Sequence, residues 1–352
     1  MAQLDGLRAI AVTAVVIYHL LPRAGFSYAA LSGVKLFFTL SGFLITGILL
    51  RARLAAEASG QKRFPALGRF YARRFLRIFP LYYFVVAVAF VINLEPTREI
   101  LGWLLTYTLN IRMARQGWYE ANFAHFWSLA VEEQFYIFWP WLVLFAPRRW
   151  LIPGAILMTL VAPIGRLWYL LSKYALMTGL ATYISTPMCL DSLGMGALLA
   201  MIGRLTPWAG IARKCLNWAV LPALLLILAM RQLDHGDASF WGMTSLLAHD
   251  TVQTIVFCWL IAAAAPGFRR FPGTALSWGP IAYVGKISYG VYVYHPFVPL
   301  LITSILATMG LHAPQNRWAA FALGSAVTLA VASLSWFLME KPINNLKRHF
   351  ED

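Results

Sequence analysis

Charge is scarce in this chain. Only 12% of its 352 residues are Asp, Glu, Lys or Arg, and the acidic residues number 14 against 29 basic ones. So little charge beside 60% apolar residues excludes a water-soluble globule, because no core of this size could hide that much hydrophobic side chain. Cysteine is rarer still: Cys189, Cys215 and Cys258 form no CxxC pair and no metal-ligand spacing. Each lies in or beside an apolar run, so they read as packing residues, and no metal is expected. Long hydrophilic stretches are missing as well. The longest, 51–76 and 95–125, are too short to bury a core of their own, so residues 1–352 read as a single transmembrane domain with no fused soluble domain. Neither low-complexity segments nor repeats of 20 to 50 residues occur, which argues against a solenoid.

What the chain has in quantity is apolar run. About 30 Å of hydrocarbon takes roughly 20 helical residues to cross, with somewhat shorter runs tolerated. The expected fold is therefore an all-α polytopic bundle of about ten transmembrane helices, near 7–22, 33–50, 77–94, 126–146, 150–171, 187–203, 216–231, 247–265, 281–306 and 317–338. Segment 100–111 is too short to cross and reads as interfacial or re-entrant. Ser27-Tyr28-Ala29 loosely imitates a signal-peptidase site, but the first run is kept as a span. The 14 Trp and 15 Tyr suit rings at the two headgroup levels as well as inside a bundle, with membrane lipid as a standing partner.

A formal charge of +15 would suggest nucleic acid in a soluble protein, but here the basic residues lie between apolar runs, where they set orientation. No nucleic-acid partner is expected. Most of the 29 basic residues fall on one side, including Arg51, Arg53, Lys62, Arg63, Arg69, Arg73, Arg74 and Arg77, and the positive-inside rule then selects N-in, C-in. The expected location is the inner (plasma) membrane. Lys35, Arg166 and Lys286 fall within apolar runs and need partners.

Ionisable groups at membrane depth are costly, so they mark candidate chemistry. Arg8 and His19 are eleven residues apart on one expected helix, which returns them to within about 20° of one face, roughly 16 Å apart along the axis. That stripe suits a coenzyme A whose phosphates meet arginine at the mouth while the pantetheine arm carries a thioester to the histidine. It also fits a helix-end arginine and a structurally bonded histidine. Arg73, Arg74 and Arg77 can converge on phosphates or serve as a topology signal. Ser128, Glu132 and Tyr136 form a polar stripe with Glu133 turned beside it. One glutamate could orient His19 or receive an acceptor hydroxyl, or the pair could balance Arg166 or Lys286. Lys35, Thr39, Gly42 and Thr46 share a face, with close helix packing favoured for Gly42 and Ser41 beside it as a candidate donor. Ser288, Tyr292 and His295 share another, where Pro296 can kink the helix. His295 then either lines an acceptor entrance or is a satisfied structural group, and His125 has similar standing.

Several of these segments carry a resemblance. Leu4-Asp5-Gly6-Leu7-Arg8-Ala9 with His19, Phe37-Phe38-Thr39-Leu40-Ser41-Gly42-Phe43, Arg73-Arg74-Phe75-Leu76-Arg77, and His125-Phe126-Trp127-Ser128-Leu129-Ala130-Val131-Glu132-Glu133-Gln134 occur in order along the chain. They are followed by Gly285-Lys286-Ile287-Ser288-Tyr289-Gly290, Tyr294-His295-Pro296 and Glu340-Lys341-Pro342. Together they resemble the motifs of the acyltransferase-3 family of integral membrane acyltransferases. Two positions depart from its pattern: the family commonly has an acidic residue at Lys35 and a basic one near Cys189, before Asp191-Ser192-Leu193. Lys35 is thus left to pair with an intramembrane carboxylate or to meet an anionic acceptor.

The resemblance implies transfer of an acyl group, acetyl being expected, from cytoplasmic acyl-CoA to a hydroxyl of a glycan or related acceptor. It makes His19 with Glu132 or Glu133 the catalytic candidates. Arg8, Arg73, Arg74, Arg77 and Ser41 become donor-binding candidates, and Lys35, Trp127, Ser128 and His295 acceptor-binding ones. No GxSxG elbow and no cysteine beside a histidine partner occurs, so direct transfer is the simpler expectation. Some family members carry an extra extracytoplasmic domain, and the end at Asp352 leads to the expectation of a stand-alone enzyme. A transporter or flippase is the rival class. Against it stand the lack of a pseudo-repeat and a basic cluster at the mouth instead of the midplane.

Overall fold

A computed structural model of the chain describes residues 2–21, 27–172, 178–233, 240–268 and 270–350, with the side chains of 27–31, 233, 240 and 241 left aside. Every regular element among them is helical. In order these are α1 Ala2–Leu20, α2 Ser27–Ser59, α3 Phe64–Val91, α4 Thr97–Leu105, α5 Leu109–Gln116, α6 Phe126–Phe145, α7 Arg148–Leu171, α8 Ala181–Ile184 and α9 Thr186–Leu205. There follow α10 Ala209–Leu233, α11 Phe240–Ala264, α12 Gly273–Leu276, α13 Gly279–Lys286, α14 Ser288–Tyr294, α15 Val298–Thr308 and α16 Arg317–Ser335. A π-helical turn, Trp336–Glu340, leads into α17 Lys341–Asn345 and a short 3₁₀ tail.

By length and hydropathy seven helical segments can cross a membrane, and an eighth is the bent pair α14 and α15 if it counts as one crossing. The chain is a multi-pass membrane protein. Expected spans 7–22 and 126–146 form α1 and α6 but are not among the seven. The polar residues Asp5, Arg8 and His19, and Glu132, Glu133 and Gln134, lower their mean hydropathy. The expected single span 281–306 is broken into α13, α14 and α15, with a 58° bend between the last two. Pro296 lies at that bend, where it has no N–H to continue a helix. Segment 100–111 falls in α4 and α5, nine and eight residues long and each too short to cross. The expected loop 51–76 is mostly helix, because α2 runs on to Ser59 and α3 begins at Phe64, so the arginine cluster sits inside α3 instead of at its start.

Helix α2 is central, packed against α1, α6 and α9, while α7 covers the far side of α9. Small residues set the α2–α9 approach reciprocally. A Cβ at Gly42 would collide with the Leu193 carbonyl, and one at Gly196 with the Thr39 carbonyl. Gly42 therefore packs on α9, and not on the first span or a bound pantetheine arm.

Lys35 is held in an ionic cluster. It is 1% exposed, and its Nζ lies 2.8 Å from Asp250 Oδ2 and 4.0 Å from Asp191 Oδ1. Arg166, equally buried, reaches Asp191 at 3.0 Å and Asp250 at 3.2 Å. Two cations and two carboxylates thus close a neutral cluster joining α2, α7, α9 and α11, which is how four charges are held in an apolar bundle. Nearer the helix ends, Glu57 binds Arg53 and Arg63 at 2.8 Å each and also Arg148, so part of the basic loop charge is paired within the protein.

Candidate active site

Five charged residues outside those clusters, Arg8, Arg74, Arg77, Glu132 and Glu133, converge between α1, α2, α3, α6 and α14. A cavity of about 80 Å³ is lined by Arg8, Ser41, Arg74, Arg77, Ser128, Glu132, Glu133 and Tyr136, together with Phe37, Tyr289 and Tyr292. A second, of about 240 Å³, opens beside it and shares Arg8, Arg77 and Tyr289. Its other walls are Asp5, Lys286, Trp336, Glu340, Asn344 and Lys347, so it lies where α1 begins and the C-terminal tail ends. Lys286, which needed a partner, rests over the Trp336 ring with its ammonium 5.3 Å from the centroid.

The stripe on α6 is as its spacing implies: Ser128, Glu132 and Tyr136 all line the inner cavity, and Glu133 joins them. Ser41 Oγ donates to Glu132 Oε1 at 2.6 Å and accepts from the Tyr136 hydroxyl at 3.0 Å, so α2 fixes the glutamate's position. Among the described residues the buried Glu133 Oε1 has no hydrogen-bond partner, which leaves a carboxylate oxygen available to whatever enters. Gln134 turns the other way, donating to Tyr107 and Asn110. Since Arg166 is paired with aspartates and Lys286 rests on Trp336, neither is the structural counter-ion that the two glutamates could have had. The Arg74 guanidinium instead lies 4.9 Å from the Tyr136 ring centroid, on the cavity wall.

Five expected site residues, Arg73, Trp127, Lys35, His19 and His295, line neither cavity. Arg73 points outward and donates to the Phe350 carbonyl at 2.7 Å, because one residue before Arg74 is a 100° turn of the helix. Trp127 is 5% exposed, packed edge-on to Phe38, and does not line the cavity. Lys35 belongs to the ionic cluster described above.

His19 is exposed and does not line either cavity. No hydrogen bond among the described residues joins it to Glu132 or Glu133, so neither glutamate orients it. Its neighbour is His295, brought up by α14, with His295 Nε2 3.2 Å from His19 Nδ1. Tyr292 connects the two regions. Its ring lines the inner cavity, its hydroxyl is 2.5 Å from Ser128 Oγ, and its carbonyl accepts from His295 Nδ1 at 2.7 Å. The 3.6-residue periodicity puts Tyr292 on the face of Ser288 and His295, but it carries no sign that this tyrosine separates a cavity from a histidine pair. Lys347 had no sequence signal at all, being one of several basic tail residues.

Among curated proteins, the chain is similar to the peptidoglycan O-acetyltransferase OatA of Listeria monocytogenes, 30% identical over 97% of this chain and 55% of the relative. It is also similar to the O-acetyltransferase OatA of Staphylococcus aureus, 26% identical over 97% of this chain and 56% of the relative. The chain spans about half the length of these relatives. No solved structure matches it. Residues 1–337, from α1 into the π-helical turn, match the acyltransferase domain of the acyltransferase-3 family, and the chain belongs to that family of membrane acyltransferases.

Proposed function

We propose that this chain is an O-acyltransferase of the inner (plasma) membrane that moves an acyl group, acetyl above all, from cytoplasmic acyl-CoA to a hydroxyl of a glycan. In this reading α1 and α6 complete ten spans with both termini inside. The observation that carries it is the pair of neighbouring cavities, in which Arg8, Arg74 and Arg77 meet at the end of the bundle where α1 begins. Guanidinium groups suit phosphate oxygens, and the outer cavity adds Lys286 and Lys347 for the nucleotide end. The pantetheine arm enters the inner cavity, where the unpartnered Glu133 Oε1 accepts an amide N–H. At about 80 Å³ that cavity holds little more than water, against roughly 300–1,000 Å³ for ligand pockets, so donor binding widens it at Phe37 and Tyr292.

The chemistry then needs a base and no acyl-enzyme. His19 Nε2 takes the proton of the acceptor hydroxyl as the oxygen attacks the thioester carbonyl. The C–O bond forms, the C–S bond breaks, and the CoA thiolate leaves to be protonated from solvent, to which His19 returns the proton it took. Glycan as acceptor class draws on the peptidoglycan acetyltransferase among the relatives. The test uses purified protein in nanodiscs with labelled acetyl-CoA and a panel of muropeptides and exopolysaccharide fragments. Label is expected to appear on the glycan as an alkali-labile ester. Absence of both CoA affinity and label transfer would overturn the proposal. Movement of acceptor across liposomes without acyl-CoA would install the transporter in its place.

A further inference from the structure

His19 and His295 come from opposite ends of the chain and meet ring to ring, with centroids 4.9 Å apart. Their backbone contacts decide where the protons sit. His295 Nδ1 lies 2.7 Å from the Tyr292 carbonyl, and a carbonyl only accepts, so Nδ1 carries the hydrogen and Nε2 of the neutral ring is left as an acceptor. His19 Nδ1 lies 2.9 Å from the Val15 carbonyl, so it too carries the hydrogen. That hydrogen is shared between the Val15 carbonyl and His295 Nε2, which is 3.2 Å away. The other tautomer of either ring would set lone pair against lone pair at a carbonyl. Only one arrangement of the neutral rings satisfies every contact, and among the described residues it leaves the His19 Nε2 lone pair free.

We propose that His295 is the positioning residue of the transfer reaction, holding His19 in the Nδ1–H tautomer with Nε2 turned to the acceptor. The inference rests on the reading of His19 as the base. The two residues divide the task by burial. His295 is fully buried at the end of α14, just before the 58° bend, and is boxed by His125 and Tyr292 with ring centroids 5.4 and 5.7 Å away. His19 is exposed on α1, where a substrate can reach it. A ring held by two acceptors on one nitrogen keeps its orientation, and it develops positive charge against a fixed lone pair as the proton arrives. His295 does not itself touch the reacting atoms, so it positions and does not catalyse.

The substitutions that test this differ in where they put a polar atom. His295→Gln places an amide oxygen near the lost Nε2, within reach of His19. His295→Asn places its amide near Nδ1, where it can still serve the Tyr292 carbonyl but not His19. His295→Gln is expected to stay within a few-fold of the native kcat, while His295→Asn loses about 10- to 100-fold, with KM for acyl-CoA unchanged in both. Equal activity of the two variants, or losses confined to KM, would overturn the proposal and return His295 to a structural role. Should the variants fail to fold, ¹⁵N-histidine spectra of the unaltered protein still decide: His19 is expected to show a protonated Nδ1 and a bare Nε2, and the reverse overturns it. Failure of the parent reading looks different, since full activity in a His19→Gln variant removes the base itself.

Discussion

Lys35 Nζ sits 2.8 Å from the Asp250 carboxylate, and the pair ties α2 to α11 through the middle of the bundle. An anion-binding lysine would keep its ammonium toward a cavity. This one is 1% exposed and is shared with Asp191, which Arg166 also binds. The departure from the family pattern at this position is therefore absorbed by charge pairing inside the protein.

Lys35→Met is expected to destabilise the protein by about 3–5 kcal/mol, because it leaves two buried carboxylates to share the single cation of Arg166. The double variant Lys35→Met with Asp250→Asn should recover a substantial part of that loss. Thermal unfolding in detergent measures both. Unchanged stability in the single variant would reinstate an acceptor-binding role for the lysine.

Arg74→Ala and Arg77→Ala are each expected to weaken acyl-CoA binding by about 1.5–3 kcal/mol, the size of a charge-assisted hydrogen bond. Arg73→Ala should leave affinity nearly unchanged, since Arg73 reaches the Phe350 carbonyl instead of a cavity. Calorimetric titration with acetyl-CoA compares the three. A uniform effect across them would reduce the cluster to a general surface potential.

Gln61→Cys, in a chain with the exposed Cys215 changed to Ser, reports orientation. With both termini inside, an impermeant thiol reagent is expected to label position 61 after permeabilisation and not in intact cells. Rapid labelling of intact cells would invert the topology and put the arginine-lined cavities on the wrong side for CoA.

Gly42→Ala should cost about 1–3 kcal/mol through overpacking, because its Cβ meets the Leu193 carbonyl and backbone yields less readily than a side chain. Gly68→Ala, which has open space around it, serves as the control. A similar melting temperature for both variants would mean that α2 and α9 are not held at that distance.

Much of the bundle was legible because hydropathy and helical period are local properties. The α6 stripe follows from spacing along one helix, and the break near Pro296 from the missing N–H of proline. Helices α1 and α6, expected as spans, are not among the seven that pass on hydropathy, because the polar candidate-site residues they carry dilute the apolar signal. Pairings between distant helices were not legible. Nothing local links Lys35 to Asp250, or His19 to His295. Arg73 was misread for a related reason: in an isolated three-arginine motif nothing indicates which member turns outward.

The most direct test of the central claim is acyl transfer by His19→Gln, a side chain that keeps hydrogen bonding but has no basicity, alongside its acyl-CoA affinity. With His19 as the base, transfer is expected to fall by about 10²- to 10⁴-fold while donor binding stays at the native level. Near-native turnover by His19→Gln would contradict the mechanism, even with the family assignment intact.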